Sequence, residues 1–405
     1  MSTNNKIAYL KRLLKRTLYV FIGILIVLNL FILISGRTYL YTGLRWTYLV
    51  GKSGPTIYDS TMTEHSVLKA TGENYFKKSS PISLKAEHLS ELEEYKTTSF
   101  LILKNNEIVF EKYWDEHTEN TRSNSFSAAK SVVGLLVGIA KDKGIIKSFD
   151  DPVNDYLPEI KSEQGTVTIR HLLMMASGLN WNESQSNPFS DNAAAYYGYD
   201  LKGYMLSKTF ETVPDNRFIY KSGNTQILGM ILEKATGQTL SEFASTHLWS
   251  KIGTKQEGHW SLDRKGDIER AYCCLYATTR DFASVGQLIL NNGTVNGKQI
   301  IKEETLNELT SVSYARNGSR KNWSYGLHFW VLEDPKHPVI YARGIQGQYI
   351  ITIPSLDMVI VRTGHERGSQ LGGLDDNKYG SIERYMRNHP RDVFLYLDIA
   401  KSISN

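Results

Sequence analysis

The sequence predicts an α+β domain carried on an N-terminal transmembrane helix, and three observations predict it. Short strand-like runs cluster near both ends of the chain, apolar residues recur at helical spacing through its middle, and an unbroken apolar stretch stands close to the N-terminus. Strands from both ends can close one antiparallel sheet with the helical middle inserted between them. Of 405 residues, 41% are hydrophobic and 22% charged. A sizeable core is therefore available, and disordered, collagenous and disulfide-framework classes are excluded.

The apolar stretch comes first. Leu18 to Ser35, LYVFIGILIVLNLFILIS, is interrupted only by Asn29 and Ser35, and as a helix it reaches about 27 Å, enough to cross a bilayer. A buried core helix would show polar positions at helical spacing. Ser35-Gly36-Arg37 offers no small-x-small cleavage pattern, so the stretch reads as an uncleaved anchor. Lys6, Lys11, Arg12, Lys15 and Arg16 precede it with no acidic residue. That bias assigns residues 1–17 to a cytoplasmic basic tail, 18–36 to the lipid bilayer, and the rest to the extracytoplasmic, periplasmic face. The net charge of +5 equals those five residues, so the remainder is neutral and carries no nucleic-acid footprint.

Residues 37–94 show weak periodicity and read as a membrane-proximal linker and lead-in, and 95–405 as one folded domain. Ser99 to Leu103 and Ile108 to Tyr113 flank Lys104-Asn105-Asn106-Glu107 as a hairpin. Val132, Val133, Leu136, Val137 and Ala140 form one helical face, and the region 127–310 is mostly helical in pattern. Val339 to Ala342, Gln348 to Ile353 and Met358 to Thr363 are three further strands, broken by Gly344, Gly347 and Pro354, before a helix-like tail from about Ser381. The only cysteines, Cys273 and Cys274, are adjacent. They exclude a CxxC zinc or redox site and read as two small buried hydrophobes rather than a vicinal disulfide.

Candidate chemistry begins at Ser127-Ala128-Ala129-Lys130, which opens the apolar helix. Residues three apart share a helical face, so the lysine amine can reach the serine hydroxyl and act as its base. A serine at a helix start also lies beside free backbone N–H groups that can hold an oxyanion. SxxK alone is a weak signal, because Ser66-Val67-Leu68-Lys69 matches it too. Only Ser127 is followed by an apolar helix, and by Asp150-Asp151-Pro152 and Tyr156-Leu157-Pro158.

The stretch SFSAAKSVVGLLVGIAKDKGIIKSFDDPVNDYLPEI resembles the nucleophile region of serine hydrolases related to class C β-lactamases and penicillin-binding proteins. TVTIRHLLMMASGLNW, FIYKSGNTQILGMILEKATG, ATTRDFASVGQLILNNG and YARGIQGQYIITIP keep that family's order, and the likeness covers about 95 to 390. The resemblance implies a β-lactamase/penicillin-binding-protein-like fold, an antiparallel sheet flanked by helices with a helical subdomain. It makes Ser127 the acylated nucleophile, Lys130 its base and Tyr220 the second proton-transfer group. The amides of Ser127 and Ile345 become the oxyanion hole after Ala342-Arg343-Gly344, and Gly344 lets substrate approach the backbone.

Two departures bear on substrate. The family's Lys-Thr-Gly is Ala342-Arg343-Gly344 here, and its Tyr-x-Asn is Tyr220-Lys221-Ser222. The lysine that meets a substrate carboxylate is absent, and strand alternation puts Arg343 opposite Ala342 and Gly344. These features argue against D-Ala-D-Ala carboxypeptidase or β-lactamase activity. GIQGQ, GLNW and the Cys273-Cys274 pair are most similar to the 6-aminohexanoate-dimer hydrolase branch, which implies a small amide or ester as substrate. Ser222, Gly344 and Trp181 are the expected substrate contacts; Trp260, Trp323 and Trp330 are further candidates for an apolar cleft. Neither cofactor nor metal is implied, no HExxH or GxSxG occurs, and no obligate protein partner is visible. The rival reading is a membrane-anchored sensor that is acylated without turnover.

Overall fold

The computed structural model describes residues 3–266, 268–313, 324–371 and 386–404. They divide into two compact units, one formed by 1–54 with 184–199, the other by 55–183 with 200–405.

The larger unit is built on a seven-stranded sheet. In chain order its strands are β2 (Lys77–Lys78), β3 (Thr97–Lys104), β4 (Glu107–Tyr113), β8 (Trp330–Leu332), β9 (Val339–Gly344), β10 (Gln348–Ile353) and β11 (Met358–Gly364), while β1, β5, β6 and β7 form a second sheet. They lie side by side as β8-β9-β10-β11-β3-β4-β2, so the predicted hairpin and the three late strands do share one sheet. Neighbours are antiparallel except β2 with β4. All of β10 and β11 is buried. Strands covered on both faces are apolar without alternation, which is why QYIITI and MVIV read as plain hydrophobic runs.

Each face has its own cover. Residues Thr279–Leu290 form a helix packed on β10 and β11. On the opposite face, Tyr396, Leu397 and Ile399 of the helix Arg391–Ser402 join Phe100, Ile102, Tyr341, Tyr349 and Ile351 in one cluster. That C-terminal helix starts after a proline cap at Pro390; Ser381, where the pattern had suggested its start, lies outside the described residues. The helical middle is led by Ala129–Asp142, buried from Ala129 through Ala140, and Ser222–Thr236, which packs against it.

Residues 55–94, read from sequence as lead-in, are part of the fold. The second sheet consists of β1 (His65–Leu68), β5 (Ser123–Asn124), β6 (Gly258–Ser261) and β7 (Leu275–Ala277), ordered β1-β6-β7-β5. Its pairing joins Ser66 to Trp260, so the second SxxK match lies on a strand and cannot present Ser66 and Lys69 on one helical face. Cys273 and Cys274 are joined in a disulfide, contrary to the expectation of two thiols. Cys274 has φ of 66°, a left-handed turn between two buried neighbours.

The smaller unit holds α1 (Thr3–Ile34), α2 (Tyr39–Trp46) and the short helix Asp191–Tyr197, capped by Ser190 Oγ accepting from the Ala193 amide. Ile7–Ile34 is long and apolar enough to cross a membrane, and none of it is buried.

Candidate active site

Ser127 sits on a 3₁₀ turn, Phe126–Ala128, immediately before the apolar helix begins at Ala129. The turn is held from three sides. Asn124 Oδ1 accepts from the Phe126 amide at 2.9 Å, the Ser125 amide donates to Leu275 O at 2.8 Å, and the Ala128 amide donates to Ser125 O at 3.1 Å. Phe126 adopts φ of 44°, unusual for a bulky residue and a form of strain that surroundings must enforce.

Lys130 lies one turn further, with 1% of its surface exposed. Its Nζ donates to Ser127 Oγ at 2.9 Å and to Tyr272 O at 2.8 Å. The same nitrogen stands 5.1 Å from the centre of the Tyr220 ring and 5.8 Å from that of Tyr272. Serine, lysine and tyrosine, which lie 93 residues apart in sequence from Ser127 to Tyr220, are thus gathered around one amine. Tyr220 stacks on Trp330 at 5.8 Å and meets Tyr325 edge-on at 6.1 Å. Burial pushes the Tyr325 hydroxyl well above the usual phenol range, so that neighbour remains a neutral wall.

The end of β9 stands against the Ser127 turn. A Cβ on Gly344 would lie 2.2 Å from Ser125 O and 3.1 Å from Phe126 Cβ, so this strand end and the turn that carries Ser127 meet closely. Ile345 follows in the turn Ile345–Gly347, where Gln346 has φ of 61°. Two side chains that sequence reasoning missed hold this turn. Gln348 Nε2 donates to Ile345 O and to Gly364 O, at 3.3 and 2.7 Å. Arg362, fully buried, donates through one nitrogen to Gln346 O at 3.0 Å, Gly347 O at 2.7 Å and Glu366 O at 2.8 Å, and through Nε to Thr97 Oγ1 at 3.1 Å. A lone arginine in the apolar run MVIVRTG was the available signal.

Of the expected substrate contacts, Ser222 is already engaged. Its amide and hydroxyl donate to the two oxygens of Glu183 at 2.6 and 2.7 Å, and Trp181 Nε1 donates to the same carboxylate at 2.8 Å. Glu183 was not singled out from sequence, because nothing local marks its pairing with residue 222. Trp181 is buried against Gly223, where an added Cβ would lie 2.6 Å from the indole. Arg343 lies with its guanidinium 3.5 Å from the centre of the Trp330 ring, the same ring on which Tyr220 stacks. Trp260 is buried, donating to Arg270 O and Cys273 O; Trp323 lies outside the described residues. A cavity of about 240 Å³ opens among Met175, Ser177, Thr212, Arg217, Ile219 and Lys221, the last two flanking Tyr220 in sequence. Among the described residues no group of three or more His, Cys, Asp or Glu side chains could hold a metal ion.

A family model described as Beta-lactamase matches residues 86–379. The chain belongs to the beta-lactamase family. A 6-aminohexanoate-dimer hydrolase of Paenarthrobacter ureafaciens is 28% identical over 316 residues, covering 70% of this chain and 79% of that protein. Esterase EstB of Burkholderia gladioli is 26% identical over 158 residues, 36% of this chain and 40% of the esterase. Among solved structures, a Bacillus anthracis protein assigned as a 6-aminohexanoate-dimer hydrolase superposes with a TM-score of 0.70 at 21% identity, covering 86% of this chain and 92% of its own. This beta-lactamase-family chain is a hydrolase related to 6-aminohexanoate-dimer hydrolase and to esterases, on the fold the sequence led one to expect.

Proposed function

We propose that this hydrolase is a membrane-anchored serine enzyme that cleaves a small amide or ester through an acyl-enzyme on Ser127. The observation that carries the reading is the 2.9 Å hydrogen bond between Lys130 Nζ and Ser127 Oγ, made by a lysine almost wholly buried. When the amine is neutral, that line takes the hydroxyl proton as Oγ bonds to the substrate carbonyl carbon. The carbonyl oxygen becomes an oxyanion held by the Ser127 and Ile345 amides. Collapse breaks the bond to the leaving nitrogen or oxygen, which receives the proton by way of Tyr220 and Lys130. Water then attacks the acyl carbon, giving up one proton to the Lys130–Tyr220 pair; collapse breaks the bond from that carbon to Oγ, the carboxylic acid departs, and the proton passes to Ser127 Oγ. Ser222, Gly344 and Trp181 are the substrate contacts in this reading.

Anchoring is supported by the exposed apolar helix Ile7–Ile34, and the basic residues before it favour a cytoplasmic N-terminus with the hydrolase outside. Absence of a lysine from Ala342-Arg343-Gly344 favours linear amides and esters over penicillins and D-Ala-D-Ala peptides.

Intact-mass spectrometry of the detergent-solubilised full chain tests the mechanism, with a fluorophosphonate and separately a p-nitrophenyl ester followed for adduct and product together. One adduct on Ser127 with continuing product release is the expected result. An adduct without turnover would move the protein to the sensor reading, and no adduct would sink the acyl-enzyme.

A further inference from the structure

Residues 184–199 leave the hydrolase sequence and fold within the smaller unit, together with the apolar helix and the stretch that follows it. Their contacts are aromatic and specific. The Phe189 ring meets Phe31 edge-on at 6.1 Å, and the Arg37 guanidinium lies over both rings, at 5.9 Å from Phe31 and 5.6 Å from Phe189. Tyr197 meets Trp46 at 6.1 Å, and its ring is 3.4 Å from where a Cβ on Gly43 would stand. On the other side of the turn, Tyr41 donates to Asn29 Oδ1 at 2.7 Å, folding α2 back along the end of α1.

Phe31 lies inside the candidate span Ile7–Ile34, three residues from its end. That offset is about 4.5 Å along the helix axis, so a side chain packed on Phe31 lies at the depth of the adjoining headgroups and first acyl carbons. Phe189 is that side chain, and half of its surface remains exposed. In the same unit Leu44, Tyr48, Leu49 and Val50 are exposed as well, Leu49 by 72%. Tyr and Trp collect in the two stretches, with Tyr41, Trp46 and Tyr48 in one and Tyr196, Tyr197 and Tyr199 in the other. Such residues concentrate where a membrane protein meets the headgroup region, because each carries an apolar body and a polar tip. Beyond the span, the unit's sequence carries Arg37, Arg45 and Lys52 against one acidic residue, Asp191. A basic surplus of that kind complements anionic lipid headgroups.

We infer that residues 184–199 are a second membrane-contacting element of this protein, seated with residues 39–50 in the headgroup layer of the leaflet that the C-terminal end of α1 reaches. The occupant of the exposed aromatic face is phospholipid. Continuity with the span, direct packing on Phe31 and the charge balance all point to it, and the inference rests on the anchor reading proposed above.

The test uses the full chain in nanodiscs of phosphatidylcholine and phosphatidylglycerol, with an environment-sensitive fluorophore on one introduced cysteine. The native cysteines are buried and bonded to each other, which leaves the new thiol as the labelling site. A label at Phe189→Cys should emit at shorter wavelength than one at Lys298→Cys and lose at least about half its intensity to lipids quenching at shallow depth. Tyr199→Cys gives the same reading should Phe189→Cys not fold. A label at Val27→Cys reports the anchor. Deep quenching at position 27 with water-like, unquenched emission at both 189 and 199 overturns the inference and leaves the anchor standing. Release of the chain by alkaline carbonate, with no quenching at 27, overturns both.

Discussion

Gly344→Ala tests whether strand end and nucleophile turn form one oxyanion site. The added Cβ would stand 2.2 Å from Ser125 O, 3.1 Å from Phe126 Cβ and 3.1 Å from Gln348 Cβ. Real Cβ atoms essentially never come within 3.0 Å of a neighbour, so the contact must open by at least about 0.8 Å. Ser125 O cannot yield alone, because it accepts from the Ala128 amide across the turn that carries Ser127. β9 cannot yield alone either, since Gly344 pairs with Gln348 in the sheet. Misplacement of reacting groups by ~1 Å costs roughly 10²-fold in rate, and loss of one oxyanion donor costs about 10²–10³-fold. We therefore expect kcat for a p-nitrophenyl ester to fall about 10²-fold with KM changed less than about threefold, because both donors act mainly in the transition state. Fluorophosphonate labelling should slow in parallel; circular dichroism should keep the parent's shape, while the melting temperature falls with the roughly 1–3 kcal/mol strain of the added methyl. A variant that keeps activity within about threefold of the parent would refute the placement of Ile345 beside Ser127.

Ser127→Ala should abolish ester turnover and fluorophosphonate labelling with the melting curve preserved; residual Ser127-independent turnover would reject the nucleophile. Arg362→Met leaves carbonyls of the 345–347 turn without their donor. Each orphaned buried group costs about 1–3 kcal/mol, so both a lower urea midpoint and a drop in kcat larger than the change in KM are expected. Glu183→Gln replaces an acceptor of three N–H and O–H donors with a group that also donates, so KM should rise more than kcat falls if Ser222 contacts substrate. An unchanged KM in a steady-state assay would detach Ser222 from substrate. For pH, burial pushes His328 down to about 3, with its Nδ1–H donating to Leu173 O and its Nε2 accepting from Thr225. The unfolded chain binds that proton near pH 6.5 and the folded chain does not. Stability is therefore full above about pH 6.5 and is lost progressively as pH falls toward about 3, a slope in urea titrations that His328→Gln should flatten.

What was legible in the sequence was what local pattern encodes. β10 and β11 announced themselves because strands buried on both faces must be apolar throughout. Ser127 and Lys130 were visible because a spacing of three is a helical contact. The residues that complete the site were not, since their partners lie far off in sequence: Glu183 joins Ser222, Gln348 reaches Gly364, and Arg362 meets Thr97. Weak periodicity hid β1 and β2 because each is a short strand completed by pairing with a distant one, Gly258–Ser261 and Glu107–Tyr113 respectively. The same holds for Phe189, which only its contact with Phe31 sets apart from an ordinary loop residue.

The proposed role of the Ile345 amide as oxyanion donor gives a reason for a charged residue deep in the sheet. A backbone amide stabilises an oxyanion only if it already points at the right place, since reorientation during the reaction would cancel the gain. The turn 345–347 is short and contains a residue at positive φ, so its own backbone does not define one orientation. Arg362 does so by giving one rigid, always charged fork to the carbonyls of Gln346, Gly347 and Glu366, while Gln348 ties Ile345 O to the strand at Gly364. Fully buried charge is tolerated here because neutral carbonyls and a hydroxyl satisfy the guanidinium without a carboxylate, which would set an opposing negative charge next to the developing oxyanion. Arg362→Lys separates charge from geometry: the ammonium keeps the sign of the field but has three donors on a flexible stem. If orientation is what matters, the lysine variant should lose nearly as much kcat as Arg362→Met, and recovery of parental kcat by lysine would show that the field alone suffices.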